Sequence, residues 1–260
     1  MWHLSQRPGA VHLPASHPPV LVVAVDTEEE FDWSRPFDRG ATSVASLRHL
    51  HRVQEVCDEF GVRPCYAVDW PVAAAEEGRA PVLEFLRSGR AVLGAHLHPW
   101  TTPPYEEEVS TFNSYAGNLP PALEEAKLAV LLRALEEAFG ERPAVYKAGR
   151  YGLGPNTPAI LERLGFAVDL SRAPAFDLSA DGGPDYSRDP DGALWIGPQG
   201  RILSIPCTGT LVGFLGRRLG PPVYRQAARP ALRWSHLPGV LARLHAVERL
   251  YLTSEGFSQE

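Results

Sequence analysis

Three short segments carry residue types that could do chemistry together. The first is VLVVAVDTEEEFDW, residues 20–33, an unbroken apolar run that ends in Asp26, Thr27 and three consecutive glutamates. A short apolar run bounded by polar residues reads as a buried strand. Asp26 and Glu28 are two apart, so on a strand both leave from one face. Adjacent carboxylates at a buried strand end repel unless a cation or a shared proton relieves them. The second segment is AVLGAHLHPW, in which His96 and His98 again project to one side of a strand. The third is KAGRYG, which places Lys147 and Arg150 beside a glycine-bracketed turn. Cations there could keep a neighbouring carboxylate ionised, and backbone N–H groups could serve as oxyanion donors.

Each segment alone also reads as ordinary structure: a solvated strand end, a lone His-x-His, a surface loop. Together they read otherwise. Strand ends on the carboxyl side of a parallel sheet meet at one rim. Two imidazoles with one or two carboxylates on that rim form a divalent-metal set, with zinc the expected ion.

The elements needed to build such a rim can be traced along the chain. Residues 1–19 hold scattered prolines and histidines without an apolar period and read as a loose arm. Strands are expected at 20–27, 62–68, 91–98, 145–146 and 166–170. Between them lie helices at about 42–60, with Thr42 or Ser43 as cap and Leu47, Leu50, Val53 and Cys57 inward; at 71–89, broken near Gly78 and Pro81; at 120–139; and at 156–164. Residues 193–196 and 201–205 flank a Gly-Pro-Gln-Gly turn and predict a hairpin. Residues 222–250 read as mostly helical and 251–253 as a last strand. The strand–helix alternation predicts an α/β protein with a parallel sheet, either a barrel or an open doubly wound sheet. Residues 101–119 and 171–192 are long loops of the kind that carry function.

Composition sets bounds on the rest. With 260 residues and 44% hydrophobic content the chain can form one large core. A net charge of -6 disfavours nucleic acid and anionic membranes as partners. Cys57, Cys65 and Cys207 form no CxxC spacing and read as buried thiols of a reducing compartment. There is no secretory signal pattern and no apolar run of roughly 20 residues that could span a membrane, so a cytoplasmic protein is expected. No dinucleotide or P-loop glycine pattern is present.

The segments VDTEEEFDW, GAHLHPW and AGRYGLGPNTPAILERLGF, in that order, resemble the polysaccharide deacetylases, the NodB-type carbohydrate esterases of family four, and within them the WalW-like branch. The resemblance covers residues 20–257. It implies a distorted, incomplete (β/α) barrel over residues 20–260, and a metal-dependent hydrolase that removes acetyl groups from N- or O-acetylated sugars or polysaccharides. It implies Asp26 as general base, and Glu28, His96 and His98 as ligands of a divalent ion, with zinc expected by donor type. Arg150 would orient the base, with Lys147 the other candidate cation, and the Tyr151 N–H would aid the oxyanion. Asp169 to Arg172, and Asp185, fall in the family's pocket-lining region. Trp33, Trp100 and Tyr105 could stack on sugar faces.

Three departures stand out. The histidines are two apart rather than four, and a Glu stands where an Asp ligand is usual. No histidine follows Thr253 to act as the family's C-terminal general acid, so the chain reads as truncated at that end. His236 and His245 are poor substitutes. The rivals are a metal-independent amide hydrolase on the same scaffold and an inactive glycan-binding protein. An unclosed barrel could also be sealed by a second copy as a homo-oligomer.

Overall fold

Apolar runs without polar alternation fold as strands covered on both faces, and CYAV and the LGAHL of the next strand do so here. The computed structural model describes residues 9–227, 232 and 235–252. Strands β1 (Gly9–Ala10), β2 (Ala24–Thr27), β3 (Cys65–Val68), β4 (Val92–Leu97), β5 (Val145–Ala148), β6 (Val168–Asp169), β7 (Leu194–Ile196) and β8 (Ile202–Ser204) form one sheet, in the order β1-β7-β8-β6-β5-β4-β3-β2. From β2 through β6 to β8 every pairing is parallel. β7 then pairs antiparallel with β8, closing the predicted hairpin, and β1 pairs antiparallel with β7.

The strand order decides between the two architectures left open by the alternation. Parallel neighbours follow one another in sequence, so successive right-handed crossovers all step the same way and lay their helices on one face. That is the winding of a barrel. The sheet stops at β1 on one side and β2 on the other, so the barrel is incomplete. Helices α1 (His51–Glu59), α2 (Trp70–Ala74), α3 (Glu76–Arg87), α4 (Pro121–Phe139) and α5 (Thr157–Leu164) supply the outer layer. α4 packs on β4 and lies beside α2, α3 and α5. Its Leu128, Leu131, Leu132 and Leu135 are fully buried, and Gly140 ends it at a left-handed φ of 75°.

Several expectations need correction. Residues 9 and 10 of the supposed arm are an edge strand held on Leu194 and Trp195. The first helical segment begins as a 3₁₀ turn, Ala45–His49, with Leu47 and Leu50 inward, and the α-helical step of four from Leu50 reaches Gln54 and not Val53. Gln54 therefore faces in, beneath Tyr66, and Val53 faces out. Neither Thr42 nor Ser43 caps that turn. Glu30 does, accepting from the Ser46 N–H at 2.7 Å and the Ser43 hydroxyl at 2.6 Å. The break in the next helix falls at Ala75, and Pro81 lies inside α3.

Toward the C-terminus, α6 (Gly216–Ala227) and α7 (Leu237–Arg243) accompany a second sheet. In it β9 (Gly209–Val212) pairs antiparallel with β10 (Glu248–Tyr251). Nothing in the sequence reading anticipated β9, and β10 starts three residues before the expected strand. His236 and His245 sit at left-handed positions flanking α7, both exposed rather than core-like. Residues 253–260, which hold no histidine, lie outside the described residues. Among the described residues no helix is long and apolar enough to cross a membrane.

Candidate metal centre

Parallel pairing puts the ends of β2, β3, β4 and β5 side by side, with Asp26 opposite Ala67 and His96 opposite Lys147. The chain leaves β2 with Glu28 turned toward β4. Its Oε2 lies 3.0 Å from His96 Nε2 and 3.2 Å from His98 Nε2. The two imidazole centroids are 4.7 Å apart. The two-residue spacing therefore brings both histidines onto one carboxylate, as alternation along an extended segment requires.

The far nitrogens are occupied. His96 Nδ1 is 3.0 Å from the Lys147 carbonyl oxygen, and His98 Nδ1 is 2.9–3.0 Å from both oxygens of Glu29. Both Nδ1 atoms thus face acceptors, and both Nε2 atoms face the same point. Glu28, His96 and His98 together offer one oxygen and two nitrogens, all within 4.8 Å of one another. This donor set suits a divalent ion such as zinc.

Charge is distributed unevenly here. Burial acts to raise Glu28, but hydrogen bonds and charge from His96 and His98 outweigh it and hold the carboxyl well below its usual range. Burial likewise opposes ionisation of Glu29, yet the charge of His98 and the contact with Asp69 bring it down to about 2. Asp69 is pushed well above the ordinary carboxylate range, by burial first and then by Glu29. Burial disfavours a charged His98, but the flanking glutamates prevail and raise it. The buried acidic pair thus concentrates its negative charge on Glu29.

The His98 ring is clamped on both sides. Trp100 stacks on it at 4.2 Å and 21°. On another side the backbone at Gly149 comes so close that a Cβ there would lie 2.4 Å from His98 Cδ2. Trp100 is 2% exposed, so it backs the His98 ring and does not reach a substrate, contrary to the expectation for it.

Lys147 serves the rim twice. Its carbonyl oxygen receives His96, and its Nζ is ion-paired with Asp26. Arg150, expected to orient Asp26, points elsewhere. It donates to the Ser114 hydroxyl at 2.6 Å, pairs with Asp181 at 3.7 Å, and stacks over Tyr115 at 4.1 Å and Phe37 at 5.2 Å. The reason is local: Arg150 and Tyr151 both take left-handed φ values, 54° and 56°, at the turn after β5. The Tyr151 ring lies 5.1 Å from Lys147 Nζ.

Asp169 also departs from its expected place. It is fully buried, accepting from the Ser171 N–H at 3.1 Å and the Ser204 hydroxyl at 2.7 Å, so it presents nothing to a substrate. Arg172 is buried too and ties Ser204 to the Gly192 carbonyl. Trp33 is 60% exposed and rests edge-on against Phe31.

Sequence reasoning missed Glu29, Asp69 and Gly149. Strand alternation sends Glu29 away from Glu28, which hides its return to the same histidine. Asp69 carried a signal: it is the one charged residue in YAVDWPV, at a strand end on the same rim.

No family model matches the chain, and no curated protein matches it. Among solved structures it is similar to a protein from Mycobacterium smegmatis described as a candidate polysaccharide deacetylase, with 20% identity and a TM-score of 0.44 over 78% of this chain and 63% of that one. It is similar to IcaB from Ammonifex degensii, with 18% identity and a TM-score of 0.41 over 62% and 61%. It is also similar to Puue allantoinase, with 21% identity and a TM-score of 0.41 over 61% and 43%. The chain thus spans less than two thirds of the length of each.

Proposed function

We propose that this chain is a metal-dependent hydrolase that removes acetyl groups from N- or O-acetylated sugars or polysaccharides. The observation that carries the reading is the convergence of His96 Nε2 and His98 Nε2 on Glu28 Oε2, with each Nδ1 facing an acceptor. Those three side chains would hold the ion, zinc by donor type. When bound, a divalent cation there supplies Lewis-acid polarisation of an acyl carbonyl and acidifies water.

The remaining work falls to the chain itself. Asp26, at the end of β2, accepts the proton of the attacking water. Lys147, ion-paired with it, holds it in place, the role the resemblance gave to Arg150. The Tyr151 N–H, in the left-handed turn after β5, is assigned to the developing oxyanion. Trp33, exposed beside the rim, is left as the aromatic face on which a sugar ring can stack. Arg150 instead ties the turn after β5 to Ser114 and Asp181.

The test pairs zinc content with acetate release from an N-acetylated oligosaccharide. Glu28→Ala and His96→Ala are expected to lose both. If either variant retains full zinc and full turnover, the reading fails.

A further inference from the structure

We propose that Glu29 is a positioning residue for this ion site: its carboxylate accepts the Nδ1–H of His98 and so aims Nε2, the atom that would bind the ion, at the point it shares with Glu28. The inference rests on the ion-binding reading above and adds a residue to it.

The geometry is closed around the ring. Both Glu29 oxygens lie 2.9–3.0 Å from Nδ1, and both residues are almost wholly buried. No water can compete for that bond at such burial, so Nδ1 must carry the proton. Trp100 on one side and the Gly149 backbone on another leave the imidazole little freedom to flip. Glu29 is itself fixed. Its main-chain N–H donates to Asp69 Oδ2 at 2.9 Å, and Asp69 Oδ1 accepts from the Val72 N–H at 2.9 Å, capping α2. The ion ligand is thus held through Glu29 and Asp69 by a helix N-terminus across the rim. A carboxylate behind a ligating histidine sets its tautomer and raises its donor strength, and its loss costs roughly 10–100-fold in metal affinity.

Glu29, Asp69 and His98 are also close enough to hold an ion themselves. The hydrogen bonds argue against it: both Asp69 oxygens already accept main-chain N–H groups, and Nδ1 already faces Glu29.

The experiment measures zinc binding by chelator competition for wild type, Glu29→Gln and Glu29→Ala, together with the imidazole ¹⁵N–¹H spectrum of His98. Wild type is expected to bind one zinc per chain and to show a protonated Nδ1 when loaded. Glu29→Ala is expected to bind about 100-fold more weakly, and Glu29→Gln, which keeps the shape and one acceptor, about tenfold more weakly. If Glu29→Ala does not fold, Glu29→Gln carries the test. Wild type binding zinc while both variants stay within about threefold of it would overturn the proposal. So would a loaded His98 protonated on Nε2, or two zinc ions per chain falling to one in Glu29→Gln. Wild type taking up no zinc would instead sink the ion-binding reading. The pairing would then be judged on metal-free protein, where a His98 Nδ1–H signal unchanged in Glu29→Gln overturns it.

Discussion

Three consecutive glutamates do three different things, and the difference lies in what each side chain meets. Glu28 meets two imidazole Nε2 atoms, Glu29 meets the back of one of those rings, and Glu30 caps a 3₁₀ turn. The exchange of Lys147 for Arg150 beside Asp26 belongs to the same scale and can be tested. On the proposed reading, Lys147→Met is expected to lower acetate release by about 100-fold while leaving zinc content intact, because it removes the cation paired with Asp26. Arg150→Met is expected to act mainly on the unfolding midpoint, because its bonds go to the 111–115 loop and Asp181. Equal losses of turnover in the two variants would reverse the assignment. Gly149→Ala is expected to destabilise the fold by about 1–3 kcal/mol and to weaken zinc binding. The added methyl would collide with the His98 ring, and the Leu97 carbonyl oxygen, 2.8 Å away, blocks its escape. Chemical denaturation and chelator competition on one preparation would read both effects.

At the scale of elements, the loop after β4 is pinned by a buried cation. Lys127 on α4 donates to the carbonyls of Pro99 at 2.9 Å, Thr102 at 2.6 Å and Pro104 at 2.8 Å, and pairs with Glu107 at 3.0 Å. Burial lowers the Lys127 pKa and Glu107 opposes that fall. Removing the ammonium would strand three carbonyl oxygens and leave the nearly buried carboxylate of Glu107 with only the longer Arg39 contact at 3.5 Å. Lys127→Met is therefore expected to cost about 3–5 kcal/mol, read from the urea midpoint. Because the loop begins at the residue after His98, zinc affinity should weaken with it. The small β9–β10 sheet meets the same rim from the other side. Tyr251 stacks on Phe176 at 4.1 Å, and Phe176 on Tyr151 at 5.6 Å, which braces the turn that follows β5.

At the scale of the whole molecule, a buried acid away from the site makes stability depend on pH. Burial raises Glu124 to about 7, against a hydrogen bond from the Thr157 hydroxyl that lowers it. Below about pH 4.5 the carboxyl is protonated in both the folded and unfolded states. Between there and about pH 7 the unfolded chain releases its proton and the folded protein does not. Stability contributed by this group is thus lost as pH rises through that window, by an amount of order 3 kcal/mol. Glu124→Gln should flatten the dependence and raise the unfolding midpoint at pH 8. A midpoint at pH 8 equal to that of wild type would contradict this account.

What the sequence by itself determined was the alternation of strand and helix and the meeting of Glu28 with His96 and His98 at one rim. Apolar periodicity is local, and residues two apart on an extended chain must share a face. It could not determine whether parallel strands wind one way or two, which depends on strand order. Nor could it show that Lys147, not Arg150, meets Asp26, since left-handed backbone after β5 turns the arginine away. It could not reveal that Trp100 and Asp169 are sealed from solvent, or that Glu29 returns to His98. Those outcomes depend on which side chains lie across the gap between strands some 40 to 121 residues apart, and only the packed sheet sets that distance.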